Sequence, residues 1–304
     1  MRSKFHSTYK LVMVGASLLI LTGCGLLHEN QSPIVSIDFH PSSPRVGDLI
    51  VLEGSNSYDP DGYLTEFTWY IERPEINYYY QTTGSRFTWS ACWEGNYAIT
   101  LTVKDNHGVM ASDTKYLWVN PLPENYVHPG DILYHPALYS DLANQEITVP
   151  PEGLITEITG HVGIVDCQFR VVEAESEGVI NSYYVNDFVE RYLNSIVSEV
   201  YVLRVITSVP VRALAVYFAH AQIGKPYSYD YFSKEIFDDA YYCSELVWAA
   251  YQYASGAYVD DNGTVYCGYI NLDAGDGSSC TDLPVTPNEI YRSDWTYTVG
   301  VLYP

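Results

Sequence analysis

From Pro33 to Asn120 the hydrophobic positions gather in short runs rich in Val, Ile, Thr, Tyr and Trp, separated by polar clusters such as SNSYDPDGY, EGN and DNHG. The runs IVSIDF, LIVLEG, LTEFTWYIE, RFTWSA, YAITLTV and TKYLWVN read as strands, and their spacing suits a small all-β sandwich with Trp69 at its centre. After the proline-rich stretch PLPENYVHP the pattern changes. GHVGIV and FRVVEAES flank the polar break Asp166-Cys167-Gln168 and read as a β-hairpin, and SEVYVLRV reads as a further strand. VPVRALAVYFAHAQIGKPY has Pro210 in a first helical turn, Gly224 past its end, and the apolar stripe Val211, Leu214, Ala215 and Phe218. In AYYCSELVWAAYQYASG, Leu246, Val247, Ala250, Tyr251 and Ala254 recur at helical spacing and Cys243 heads the same stripe. The expected organisation is a leader (1–23), a tether (24–32), an all-β domain (33–120), a linker (121–128) and an α+β domain (129–304).

The leader has its own pattern. Arg2, Lys4 and Lys10 precede the apolar stretch LVMVGASLLILTG, which is too short to span a bilayer comfortably and reads as a signal peptide. Its end, Leu21-Thr22-Gly23-Cys24, resembles the lipobox of bacterial lipoproteins. That resemblance implies that Cys24 is lipidated and becomes the N-terminus, anchoring the protein to the cell envelope. Gly25 follows in place of an Asp retention signal, which favours the outer membrane if the cell is Gram-negative.

Composition narrows the partners. With 304 residues, 47% hydrophobic and 17% charged, the chain is globular and long enough for two cores. Loss of the leader's three basic residues takes the formal charge from −22 to −25. So acidic a surface repels phosphate backbones, which excludes nucleic acid as a partner, and the membrane is reached through the N-terminal lipid instead. Besides Cys24, five cysteines remain, an odd number that leaves a free thiol within one chain. Cys267 and Cys280 flank a Gly/Asp/Ser-rich stretch and could clip that loop, whereas Cys92 and Cys167 fall in different domains and are read as simply buried.

Candidate chemistry centres on Cys243. At the start of a helix, unpaired N–H groups and the positive dipole end stabilise a thiolate and can hold an oxyanion. If the three-residue break 166–168 is the hairpin loop, Val165 faces Phe169 and His161 stands opposite Glu173; Glu175 is the alternative carboxylate. A slip of one residue would put Glu173 on the other face. Tyr227 and Tyr242 lie near these motifs and are candidate substrate-binding residues. No metal or other cofactor is called for: His135 and His220 lack a ligand-spaced partner and there is no HExxH. Asp59, Asp61 and Asp105 offer carboxylates to calcium, but DPDG is first of all a turn former.

Two family resemblances follow from these motifs. GSNSYDPDG, Trp69 and EGNYAITLTVKDNHG, in that order, look like a PKD domain, an immunoglobulin-like sandwich, whose role would be spacing or adhesion to a ligand still to be identified. PGDIL, GHVGIV, VVEAESEGV, IGKPYSYDYF and YCSELVWAAY occur in the order seen in YiiX-like proteins, the permuted branch of the NlpC-type papain-like peptidases, over about 170 residues. The resemblance implies Cys243 as nucleophile, His161 as general base and Glu173 as the residue orienting the imidazole. It implies a cysteine amidase or endopeptidase, with peptidoglycan peptides as the expected substrate. An acyltransferase or thioesterase acting on lipid acyl groups with the same dyad is one alternative, and a non-catalytic envelope-binding lipoprotein is another. The acidic insert 258–282 departs from the pattern and could cover or extend the cleft.

Overall fold

Alternate side chains of the N-terminal strands turn inward, and the period-2 pattern becomes two facing sheets. The structure, a computed structural model, describes residues 29–136, 160–192, 198–231, 233–273 and 284–304, without the side chains of residues 182 and 183. The leader, Cys24 and Cys280 lie outside the described residues.

In the N-terminal region, one sheet runs β1 (Asp38–His40), β2 (Leu49–Glu53), β5 (Arg86–Ser90). The other runs β4 (Tyr78–Thr83), β3 (Leu64–Arg73), β6 (Gly95–Asp105), β7 (Met110–Val119). Between them Ile50, Leu52, Trp69, Ile71, Tyr97, Ile99, Leu101 and Leu117 are buried, and the Trp69 indole N–H donates to the Gly84 carbonyl at 2.8 Å. Strand β4 is absent from the expected set. Its run YYYQTT follows a 3-10 turn at Pro74–Ile76 and is largely exposed, so it carries no alternation to read. Asp59 and Asp105 serve as turn formers, Asp59 Oδ1 accepting from the backbone N–H of Asp61 at 3.4 Å and Asp105 Oδ1 from those of His107 and Val109 at 2.8 Å each, whereas Asp61 accepts from the N–H of Gln31, 30 residues earlier.

In the C-terminal region a six-stranded sheet has the order β11 (Gly178–Tyr184), β10 (Arg170–Glu175), β9 (Gly160–Val165), β8 (Ile132–Pro136), β12 (Val200–Val205), β15 (Thr296–Leu302), with every neighbouring pair antiparallel. A two-stranded hairpin, β13 (Tyr258–Val259) with β14 (Val265–Tyr266), lies within the acidic insert. Among the described residues four helices accompany the sheet: α1 (Val185–Glu190), α2 (Val209–Ala221), α3 (Cys243–Ala254) and α4 (Pro287–Arg292). Strand alternation divides the burial. Val162, Ile164, Val172 and Ala174 pack with α2 and α3, while Leu133, Val165 and Val171 pack with Phe188 and Val189 of α1. Helix α3 is almost wholly buried, including Ser244, Glu245 and Gln252, beyond the stripe its spacing suggests. The buried face of α2 likewise differs, with Ala213, Ala215, Val216, Phe218 and Ala219 inside and Val211 and Leu214 half-buried. Among the described residues no helix is long and apolar enough to cross a membrane.

One expectation is overturned: Cys92 and Cys167 form a disulfide across the two regions, with Cα atoms 5.1 Å apart. Their distance in sequence, 75 residues, hides what the fold brings together. Polar contacts reinforce the junction. Arg212 meets Glu94 at 2.6 Å, and Arg204 donates to the Glu124 and Tyr126 carbonyls and to both oxygens of Asp131, pinning the linker against β12.

Closing a loop of this length restricts the unfolded chain by about 4 kcal/mol. The double variant Cys92→Ser/Cys167→Ser is therefore expected to melt at lower temperature than the wild type in calorimetry without reductant. Equal melting temperatures would overturn this role for the bridge.

Candidate active site

The site is built from one hairpin and one helix end. The β9–β10 turn is closed by Asp166, whose side chain accepts from the backbone N–H of Gln168 at 2.7 Å and of Arg170 at 2.8 Å, while Phe169 takes a left-handed conformation with φ 56°. The loop thus falls one residue later than expected, and Val165 pairs with Val171 rather than Phe169. A register shift of two residues preserves the face, so Glu173 remains on the His161 side, and Glu175 moves level with His161. Both carboxylates reach the ring: His161 Nε2 lies 2.6 Å from Glu173 Oε2 and 3.4 Å from Glu175 Oε1. Close strand approach depends on Gly163, where a Cβ would meet Val171 Cγ1 at 2.4 Å and Glu173 Cβ at 3.2 Å.

Cys243 is the first residue of α3, buried, and the one free thiol among the described residues. It lies near enough to the His161 ring for its thiolate to favour the charged imidazole. With Nε2 held by Glu173, Nδ1 is the ring nitrogen left to face the sulfur. Burial works against a charged ring, but Tyr192, Cys243 and Glu173 outweigh it and hold His161 well above the ordinary histidine range. For Glu173, burial opposes the charged form, and His161 and Arg191 overcome it and keep the carboxyl below its usual range.

Two further residues act here that the sequence did not single out. Arg191, just past α1, grips both carboxylates: one terminal nitrogen lies 2.6 Å from Glu175 Oε1, the other 2.8 Å from Glu173 Oε2. Tyr192 stacks on His135, the cross-strand neighbour of His161, with ring centroids 3.6 Å apart. No spacing rule links them to the hairpin. His161, Glu173 and Glu175 also form a group able to hold a metal ion, yet the Arg191 guanidinium already supplies the positive charge between the two carboxylates.

The two tyrosines differ. Tyr227 is half-buried, accepts from the Tyr231 hydroxyl at 3.1 Å, and has its own hydroxyl held protonated by burial and by proximity to Cys243. Tyr242 is buried within the core, donating to the Ser233 carbonyl and accepting from the Val285 N–H, so its hydroxyl serves the fold ahead of α3. His220 pairs with Asp166 at 3.2 Å, away from the dyad. Cys267 is disulfide-bonded.

Residues 126–300 match the family described as permuted papain-like amidase enzyme, YaeF/YiiX, C92 family. The chain belongs to that family. Its C-terminal region is therefore a papain-like cysteine-hydrolase domain of the C92 type, and a β-rich region precedes it. The C92 chain is 30% identical over 147 residues to the uncharacterized protein YycO of Bacillus subtilis (strain 168), covering 47% of this chain and 50% of that protein. It thus spans about half the length of the curated relative it matches. Similar solved structures include the PKD1 domain of Vibrio anguillarum Epp (22% identity, 31% of this chain and 100% of that one, TM-score 0.26). The PKD1 domain of the Vibrio cholerae metalloprotease PrtV is comparable (22%, 30% and 99%, TM-score 0.25).

The helix that bears Cys243 also carries a titration. Burial pushes the Glu245 carboxyl up to about 8 from 4.5, although it accepts from the N–H of Glu235 at 2.9 Å and Tyr242 at 3.3 Å. A carboxyl raised in the folded state binds its proton more tightly there, so the stability it contributes is full below about 4.5 and is lost as pH rises towards about 8. Thermal stability is expected to fall between pH 5 and 8, and Glu245→Gln, which keeps the cap acceptor, should flatten that slope. An unchanged slope in the variant would show that another group titrates.

Proposed function

We propose that this protein is an exported cysteine amidase or endopeptidase that cleaves amide bonds in cell-wall peptides through Cys243, His161 and Glu173. The observation that carries the reading is the hydrogen bond from Glu173 to His161, together with a free cysteine at a helix N-terminus near enough to that ring to favour its charged form. His161 takes the Cys243 proton, forming an imidazolium–thiolate pair, and the thiolate attacks the substrate carbonyl. First-turn N–H groups of α3, which have no intrahelical acceptor, receive the oxyanion. The imidazolium then gives its proton to the leaving amine as the C–N bond breaks, leaving an acyl-enzyme. Water, deprotonated by His161, attacks the thioester, releases the carboxylic acid and restores the thiol. Glu173 holds Nε2, fixing the tautomer and orienting Nδ1 to the sulfur, and Tyr227 lines the approach.

Export is part of the same proposal. A basic n-region, a short apolar core and LTGC support a leader removed ahead of a lipidated Cys24, with the envelope as location and the outer membrane in a Gram-negative cell. Disulfide bonding at Cys92, Cys167 and Cys267 accords with an oxidising compartment.

Mass spectrometry of muropeptides treated with the mature protein tests the substrate. Cleavage by wild type and loss of it, by 10³-fold or more, in Cys243→Ala is expected, on the order seen when a covalent nucleophile is removed. Equal cleavage by the variant would sink the proposal. The pH profile tests the dyad. Because His161 titrates well above 6.5, the alkaline limb of kcat/KM should lie well above that value. Glu173→Gln removes a carboxylate that favours the charged ring and should move that limb to lower pH.

A further inference from the structure

Two carboxylates converge on one nitrogen of His161, and a single cation answers both. Glu173 Oε2 and Glu175 Oε1 lie 2.6 and 3.4 Å from Nε2. Left to themselves, two such acids repel, and one takes up a proton or both hold the imidazolium too firmly. Arg191 prevents either outcome. Its two terminal nitrogens donate separately, one to Glu175 at 2.6 Å and the other to the two oxygens of Glu173 at 2.9 and 2.8 Å, in the forked geometry that only a guanidinium offers.

The guanidinium is itself held in place. Its carbon stands 4.5 Å from the Phe188 ring centroid, and Phe188 stacks on His161 with centroids 5.8 Å apart and planes at 23°. One aromatic ring of α1 therefore braces both the imidazole and the cation that neutralises its carboxylates. Glu175 gives Arg191 the same oxygen that faces Nε2 at 3.4 Å, whereas Glu173 binds Arg191 through both oxygens and still meets Nε2 at 2.6 Å.

We propose that Arg191 is a positioning residue of the hydrolase site, which neutralises the second carboxylate and selects Glu173 as the partner of His161. The inference rests on the Cys243–His161 reading given above. Among the described residues the charged and titratable groups around His161 are Glu173 and Glu175 from β10, His135 from β8, Arg191 and Tyr192 after α1, and Cys243 from α3, with Tyr227 beyond Cys243 and Glu175.

The test uses the mature full chain and needs no substrate: the alkylation rate of Cys243 by iodoacetamide is measured against pH. Arg191→Gln removes a positive charge, which raises the pKa of every neighbour, so the window of fast labelling should move up by about half a pH unit or more. Arg191→Gln/Glu175→Gln removes one charge of each sign and should return the window towards wild type, with labelling at neutral pH recovering over the single variant. Arg191→Lys should keep the window while losing rate, since an ammonium cannot donate in a fork. Melting temperatures of all three confirm folding. A wild-type window in folded Arg191→Gln, or a lost rate that Glu175→Gln does not recover, overturns the inference. Wild-type labelling that does not depend on His161 would instead overturn the dyad itself, so the two failures are distinguishable.

Discussion

Helix α3 is buried on almost every side, and a buried helix has little freedom in where it places its ends. Leu246, Val247, Ala250 and Tyr251 pack with Val162, Ile164, Val172 and Ala174 of the β9–β10 hairpin, so the apolar contact that stabilises the domain also sets Cys243 beside His161. The segment ahead of the helix is pinned as well. Lys234 forms a buried ion pair with Asp273 and lies 5.1 Å from the Trp248 ring centroid, and Glu245 holds the Glu235 and Tyr242 N–H groups. A buried pair of this kind is costly to break from one side, which favours a single arrangement of the chain entering α3.

On the other face of the sheet the logic is polar. Glu173 is fully buried, and a buried carboxylate needs donors on each oxygen. His161 and Arg191 supply them, and the aromatic residues Phe188 and Tyr192 close the space around them. The site therefore joins two kinds of constraint, apolar packing that locates the sulfur and a satisfied charge network that orients the imidazole.

The junction with the sandwich has a similar economy. The disulfide reaches Cys167 in the very turn that links the strand of His161 to the strand of Glu173, and Trp93 and Ile76 of the N-terminal region join the core that contains α2 and α3. The β-rich region is thus structurally continuous with the hydrolase domain, whatever surface it offers elsewhere.

Much of this was legible in the residues. Six of the seven strands around Trp69, the two long helices and the helix-heading position of Cys243 follow from local spacing, because period and capping act over a few residues. Pairing His161 with Glu173 survived an error in the turn, since a shift of two residues conserves the face of a strand. Other features lay beyond sequence reasoning. Strand β4 has no alternation, Arg191 reaches Glu173 from a separate helix, and Cys92 meets Cys167 across 75 residues. The sequence by itself determined the local elements and the chemistry each could offer. Tertiary structure alone decided which cysteines joined across the two regions, that Glu175 also reached the imidazole and which cation answered both carboxylates, because those choices depend on distances between segments that no local pattern encodes.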